Sequence, residues 1–293
     1  MEETAVITKK RKKKKSQFWD VWRRLRKNKL SIIGMCIVFF LIIIAIFANV
    51  IAPYDPAMAN FDMRLQFPSA AHWFGTDNLG RDILSRIVYG GRTSLLVATM
   101  GMAISLVAGC FFGLSAAYFG GKYEFIIMRL TDILMAVPSI LLAICISAAL
   151  GPGIFNTALA MSIGGISGFI RLMRASTLTI RQQEYVEAAR ATGSGDLRIM
   201  GVHILPNTLA TIIIQVTMGI GGSIMAISGL SFIGLGVQPP ISEWGSMLSN
   251  GHQFLREFWP LATFPGLAIM FTLFGFNLFG DGLRDALDPR LKK

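Results

Sequence analysis

Residues 184–207 read EYVEAARATGSGDLRIMGVHILPN, a charged, glycine-containing stretch between two long apolar runs. The surrounding chain is too apolar for a typical soluble domain. Of its 293 residues 53% are hydrophobic and 15% are charged, whereas soluble domains carry about 25% charged residues. The composition therefore predicts an integral membrane protein, and the place of this polar stretch depends on where the membrane crossings lie.

Six segments are long and apolar enough to cross a bilayer, which takes about 20 apolar residues in a helix. The third and fourth are separated by Gly-Pro-Gly at 151–153, which predicts a tight turn. We therefore expect an all-α integral membrane protein with six transmembrane helices. The predicted crossings are 30–51, 93–120, 126–150, 155–173, 209–230 and 259–280.

The lysines and arginines predict the orientation of these crossings. With a cytoplasmic N-terminus, 23 of the 28 lie on the cytoplasmic side and 5 on the other. Twelve of them fall in the first 29 residues, including KKRKKKK at 9–15 and RRLRKNK at 23–29. Beside an apolar span, such runs favour cytoplasmic retention or contact with anionic membrane lipids over binding of nucleic acid. Both termini, and residues 184–207, are thus expected in the cytoplasm.

The N-terminus resembles a signal peptide, because basic residues precede an apolar run. The run is too long for a signal peptide, however, and no small-residue cleavage pattern follows it, so we expect an uncleaved first span.

The predicted organisation has five parts. They are a basic cytoplasmic tail (1–29), a first transmembrane helix (30–51), an extracytoplasmic loop (52–92), a five-helix core (93–280) that contains the loop 181–207, and a cytoplasmic C-terminal tail (281–293).

No metal, disulfide or nucleotide site is expected from the sequence. Cys36, Cys110 and Cys145 lie in separate apolar stretches, and no two of the three histidines have a ligand spacing. FGGKYE at 119–124 lacks the upstream glycine and the following Ser or Thr of a Walker A loop. We therefore expect no bound cofactor and no ATP hydrolysis by this chain.

Two short helices are predicted within residues 184–207. QEYVEAARAT at 183–192 contains strong helix formers, and Gly193 suits the left-handed conformation at a helix end. In the second helix Leu197, Met200 and Ile204 recur at three- and four-residue steps, and Pro206 ends or kinks it before the fifth crossing.

The first of these helices has features of a contact surface. Ala188 and Ala189 leave little side-chain bulk, so a partner can approach the backbone closely. Glu187 offers a carboxylate to an arginine or a backbone amide of that partner. An ordinary solvated loop or an interfacial amphipathic helix is the alternative interpretation of the same pattern.

These residues resemble the EAA loop of ATP-binding-cassette (ABC) importer permeases, in which Glu-Ala-Ala is followed by three residues, a glycine and a distal Ile-x-Leu-Pro. His203 departs from it at the isoleucine position. The matching residues are Glu187, Ala188, Ala189, Gly193, Leu205 and Pro206. Three further stretches are similar to the C-type permease subunit of the dipeptide, oligopeptide and nickel branch, namely FGTDNLGRDILSRIVYGGRTSL (74–95), FIGLGVQPPISEWGSML (232–248) and FNLFGDGLRDALDPR (276–290).

The resemblance, which extends over about residues 19–290, implies a type I importer permease in the cell membrane of a prokaryote. The implied partners are a homologous second permease, two cytoplasmic ABC ATPase subunits or domains that hold ATP and Mg, and an extracytoplasmic solute-binding protein. Residues 183–193 become the helix that couples to the ATPase, with Glu187 as its polar anchor and Gly193 as a turn that must stay small.

The implied substrate is a di- or oligopeptide, with nickel or another small solute as the alternative. The outer loops lack a cluster of acids or histidines that could hold Ni²⁺. A stand-alone secondary transporter is a competing interpretation, but inverted repeats and buried charges are not evident. A membrane scaffold whose loop recruits a soluble partner is a third.

Polar residues in the apolar segments are candidates for the bundle interior or a transport path, namely Asp132, Gln215 and Asn277. Asp132 follows Arg129 by three residues, which favours a local ion pair. Asn277 equally suits a cap or bridge between helices. In the last outer loop, Trp244 of QPPISEW suits either an interfacial anchor or a docking surface. No residue is assigned as a substrate ligand.

Overall fold

The computed structural model describes residues 17–287, and the regular structure in this range is helical, without strands. The basic run at 9–15 and the end of the C-terminal tail at 288–293 lie outside the described residues. The helices are α1 (Gln17–Leu25), α2 (Lys29–Ile46), α3 (Ala48–Ile51), α4 (Ile83–Phe119), α5 (Gly121–Ala136), α6 (Ser139–Leu150), α7 (Ile154–Arg181), α8 (Glu184–Ala191), α9 (Asp196–Arg198), α10 (Leu205–Phe232), α11 (Trp244–His252) and α12 (Pro260–Leu287), with a 3₁₀ turn at Phe61–Met63 and a π turn at Ile199–Ile204.

Within the described range, four helical segments have the length and apolar composition of a membrane crossing. They are α2, α4, the continuous run Asp196–Phe232 that ends with α10, and α12. The bent pair α5 and α6 adds a fifth if the two count as one crossing. Helix α7 is 28 residues long but lies outside this set.

The third predicted crossing is broken near its centre. Helices α5 and α6 meet at an angle of 89°, so the prediction of one continuous helix over 126–150 is wrong. The break lies at Val137, which has an extended backbone conformation, and at Pro138, whose ψ of 129° is not helical. Proline cannot donate a helical hydrogen bond, and its ring disfavours a helical conformation in the preceding residue.

Small residues bring the central helices close together. Helices α4 and α7 pack along their lengths, and a Cβ atom added to Gly101 of α4 would lie 3.0 Å from the carbonyl oxygen of Ala158 of α7. Further along the same pair, Gly113 faces the backbone of Ile170. Helix α2 packs on α12, where Gly34 lies against the backbone of Phe279. Such contacts are typical of helices packed in a membrane, where backbones must approach closely.

The loop before α4 is held by buried charges. The Asp77 carboxylate accepts hydrogen bonds from the backbone N–H groups of Leu79 and Arg81, and from Nε of Arg81 at 2.7 Å. Asp82 caps α4 by accepting a hydrogen bond from the Ser85 N–H at 2.7 Å. Helix α4 therefore begins at Ile83, ten residues before the predicted start of the second crossing.

Candidate functional site

Helix α8 contains the first predicted short helix and packs on a small apolar cluster. Val186 and Ala189 turn inward, onto Tyr118 at the end of α4. Ile199 and Ile204, from the segment after α8, complete the cluster together with Met200. The cluster fixes one face of α8 against the end of α4 and the π turn that leads into α10, because each of these three elements contributes a buried side chain to it.

A left-handed glycine ends α8. Gly193 has φ of +80°, and its N–H donates to the carbonyl of Arg190 at 3.0 Å. The Ser194 N–H donates to the carbonyl of Ala189 at 3.0 Å, which completes a Schellman motif. No atom lies within 4 Å of a Cβ added to Gly193. Within this chain, glycine is therefore needed for its backbone conformation rather than for its small size.

The second predicted helix does not stand apart from the fifth crossing. Helix α9, the π turn and α10 form one run of 37 residues, and Pro206 lies in the first turn of α10. Proline lacks the N–H that an α-helix would require there, and the wider π turn precedes it. Leu205 is half-buried and Pro206 is exposed. Both lie at the start of α10, next to the buried Ile204.

Polar contacts also tie this region to α4. The Tyr118 hydroxyl donates to Oδ1 of Asp196 at 2.6 Å, and the Arg190 guanidinium lies 5.7 Å from the centre of the Tyr118 ring. Arg181, at the end of α7, donates from Nη1 to the carbonyl of Ala117 at 3.0 Å. The cluster and these contacts make α8 and the ends of α4, α7 and α10 one connected unit.

The outward face of α8 carries exposed side chains. Glu187 and Ala188 are exposed, and no described residue hydrogen-bonds to the Glu187 carboxylate. Tyr185 is exposed on the same helix, and Leu197 of α9 is 83% exposed. Of the three apolar residues at helical spacing in the second predicted helix, Met200 and Ile204 are buried in the π turn, whereas Leu197 precedes that turn and is exposed.

The three candidate path residues lie on three different helices. Asp132 of α5 forms the predicted ion pair with Arg129 at 3.6 Å, and a shorter one with Arg171 of α7 at 2.8 Å. Gln215 of α10 and Asn277 of α12 are both exposed in the described chain. Their role in a transport path stays a prediction.

A buried carboxylate in the last loop was missed by sequence reasoning. Glu243 is fully buried and caps α11 by accepting hydrogen bonds from the N–H groups of Gly245 and Ser246, each at 2.9 Å. It also accepts one from the Ser94 hydroxyl of α4 at 3.0 Å. Burial raises the pKa of Glu243. The sequence gives little signal for this role, since Glu is not among the preferred capping residues.

Trp244 is neither an interfacial anchor nor a docking side chain, so both predicted roles are wrong. It is 2% exposed, and its indole N–H donates to the carbonyl of Ile87 at 2.9 Å. The ring lies against Gly90 and Gly91 of α4, where added side chains would collide with it. Glu243 and Trp244 therefore fix α11 to the first turns of α4.

Among residues 17–287, no group of three or more His, Cys, Asp or Glu could hold a metal ion.

Two known families match separate parts of the chain. Residues 105–293 match the family described as binding-protein-dependent transport system inner membrane component. Residues 16–68 match the N-terminal TM domain of oligopeptide transport permease C.

Three relatives illustrate the similarity. The chain is 47% identical to the dipeptide transport system permease protein DppC of Alkalihalophilus pseudofirmus, over 94% of this chain and 91% of the relative. It is 42% identical to the di/tripeptide transport system permease protein DppC of Pseudomonas aeruginosa, over 93% and 92%. It is 44% identical to the glutathione transport system permease protein GsiD of Escherichia coli, over 93% and 90%. The chain thus belongs to the inner membrane components of binding-protein-dependent transport systems, as a C-type permease of the dipeptide, oligopeptide and nickel branch.

Proposed function

We propose that this permease forms half of the translocation path of an ATP-driven, binding-protein-dependent importer of di- or oligopeptides, and that α8 receives the movement of the ATPase. The observation that carries the proposal is the two-sidedness of α8. Val186 and Ala189 hold one face to the transmembrane helices, while Glu187 and Ala188 are exposed on the other. A helix of this kind suits a mechanical contact, because a partner that binds its free face displaces the helices to which it is fixed.

The proposed topology has six crossings, with the α5–α6 pair as the third and α7 as the fourth. Both termini and α8 then face the cytoplasm, whereas α11 and the loop before α4 face the other side. The distribution of lysines and arginines supports this orientation, with 23 on the cytoplasmic side and 5 on the other.

The proposed assembly contains a homologous second permease, two ATPase subunits or domains that hold ATP and Mg, and an extracytoplasmic solute-binding protein. Glu187 and Ala188, with the nearby exposed Tyr185 and Leu197, would contact the ATPase. The carboxylate of Glu187 suits a partner arginine or backbone amide.

A peptide substrate is supported by the relatives, whose names specify dipeptide, di/tripeptide and glutathione transport. Nickel import receives no comparable support from these relatives or from the described side chains.

We propose that the movement of α8 is transmitted through the chain by specific contacts. A shift of α8 acts on the side chain of Tyr118, which contacts the α8 cluster and hydrogen-bonds to Asp196. Helix α4 extends from there to the level of α11, where Ser94 contacts the buried Glu243. A movement at one face of the membrane can thereby reach the other through one 37-residue helix.

The proposal is tested by reconstituting the complete importer in proteoliposomes with Glu187→Arg in α8. The substitution reverses a charge on the free face and removes no described contact, so normal membrane insertion is expected. Peptide uptake per ATP hydrolysed should fall sharply. Glu257→Arg, at an exposed acid in the last loop, is the matched control and should transport normally. Unchanged uptake by Glu187→Arg would contradict the proposed role of α8.

A further inference from the structure

A groove between four helices combines an apolar wall with one basic residue. It encloses about 450 Å³, within the range of roughly 300–1,000 Å³ usual for small-molecule sites. Its lining comes from α2, α4, α10 and α12, and the polar members are Arg92 and Thr99. The apolar lining residues are Ile42, Ala45, Ile46, Leu95, Leu96, Ile220 and Phe276.

Arg92 lies near the boundary of the apolar region. Its Nη1 donates to Oδ1 of Asn49 at 3.3 Å, and Asn49 lies in α3, directly after the candidate membrane crossing Lys29–Ile46. Pro53 and Asp55, which follow, begin a loop on that side. The guanidinium is therefore close to the level at which lipid headgroups begin.

The guanidinium of Arg92 has N–H donors that no described residue accepts. An arginine carries five N–H donors, and among the described residues Asn49 alone accepts a hydrogen bond from Arg92. No described carboxylate lies within ion-pair distance of it. The exposed Asn49 side chain also keeps its own amide N–H groups available. Arginine matches phosphate geometry well, so this end of the groove is suited to an anion.

The groove continues from Arg92 away from the boundary. Thr99 lies seven residues further along α4, which corresponds to about 10 Å of helix. The Thr99 hydroxyl is satisfied by the carbonyl of Leu95, so it presents no free donor to the groove. Leu96 and Ile46 are exposed at its opening. The groove thus offers a charged end followed by an apolar channel.

We propose that this groove binds an anionic phospholipid, with the phosphate on Arg92 and an acyl chain along α4 between α2, α10 and α12. Charge complementarity selects this occupant, because a peptide helix of a second subunit would bring no required anion to Arg92, whereas a lipid phosphate would. The site would link the first transmembrane helix to the core through a lipid. Its occupancy is expected to depend on the headgroup charge of the surrounding bilayer.

The test uses the complete importer in nanodiscs that contain either phosphatidylglycerol or phosphatidylcholine with the same acyl chains. Native mass spectrometry then counts retained lipids. Arg92→Gln should lower retained phosphatidylglycerol about fivefold, the effect of one basic residue at an anionic surface. Arg256→Gln removes an exposed arginine of the last loop and should leave retention unchanged. Equal retention by the Arg92→Gln variant and the unchanged protein would overturn the proposal.

A second measurement identifies the occupant without altering Arg92. A photoreactive phenylalanine at Leu96, which is exposed at the groove, should form a lipid adduct in phosphatidylglycerol nanodiscs. Ala45→Phe, which fills the groove, should reduce that adduct. A cross-link to the second permease in place of lipid, or an adduct that Ala45→Phe does not reduce, would show that the groove is not a lipid site. Neither result depends on transport activity.

Discussion

The hydroxyl of Tyr118 donates a 2.6 Å hydrogen bond to Oδ1 of Asp196, which joins the end of α4 to the segment after α8. Arg190, from α8 itself, packs over the same ring. Hydrogen bonds to a charged acceptor contribute about 1.5–3 kcal/mol. One side chain thereby connects the proposed coupling helix, the segment leading into α10, and a helix that spans most of the molecule.

Tyr118→Phe should weaken coupling and leave the packing in place. The ring remains in the cluster while the hydrogen bond to Asp196 is lost, so we expect a stability loss of about 1.5–3 kcal/mol and lower uptake per ATP hydrolysed. Thermal unfolding in detergent and proteoliposome uptake measure the two effects. Tyr123→Phe removes a hydroxyl that contacts Ser115 and should leave coupling intact. Identical coupling in both variants would argue against the Tyr118 connection.

Neighbouring alanines of α8 should behave differently when enlarged. Ala189→Leu forces a larger side chain into the cluster with Tyr118, and overpacking of this kind costs about 1–3 kcal/mol. Ala188→Leu adds the same bulk to the exposed face, so stability should hardly change while association with the ATPase weakens. Unfolding temperatures and co-purification of the ATPase separate the two. The prediction fails if Ala188→Leu is the more destabilised variant.

Gly193 should be sensitive to backbone conformation more than to volume. At φ of +80°, Gly193→Ala should cost about 1–2 kcal/mol, although no atom of the described chain obstructs the added Cβ. Asparagine tolerates this conformation better than alanine, so Gly193→Asn should be the milder change despite its larger side chain. Thermal unfolding of the two variants is the measurement. A greater loss for Asn than for Ala would indicate a steric requirement.

Glu243 should make the stability of the last loop depend on pH. Because burial raises the pKa of Glu243 above its ordinary value of 4.5, the folded state favours the protonated form. Its contribution to stability is thus fully present below pH 4.5 and is lost as the pH rises through the folded pKa. The unfolding temperature should therefore fall as the pH rises through this range, and Glu243→Gln should remove that pH dependence. Glu257→Gln, at an exposed acid, should retain it.

Local patterns predicted several elements correctly because short-range chemistry determines them. The helix formers of 183–192 and the glycine at 193 predicted α8 and its end. Pro138 indicated a break in the third crossing, but it lies within a long apolar run that favoured one continuous helix. The helical spacing of Leu197, Met200 and Ile204 did not indicate that Leu197 is exposed while the other two are buried, because a π turn cannot be recognised from hydrophobic spacing alone.

Contacts between residues that are far apart in the sequence could not be predicted from local patterns. Tyr118 and Asp196 are 78 positions apart, and Ser94 and Glu243 are 149 apart. No periodicity relates such pairs. Trp244 resembled a surface aromatic in a proline-rich loop, yet the small residues Gly90 and Gly91 on a distant helix create the space that buries it.

The most direct test of the account is cysteine cross-linking at position 188 in the complete importer. Ala188→Cys is made in a chain whose Cys36, Cys110 and Cys145 are replaced by serine, with Arg256→Cys as the control for the outer face. We expect Cys at 188 to cross-link to the ATPase subunit and to resist a membrane-impermeant maleimide applied to intact cells, whereas Cys at 256 reacts with it. Labelling of position 188 from outside, or its failure to reach the ATPase in an assembled importer, would contradict the proposed role of α8.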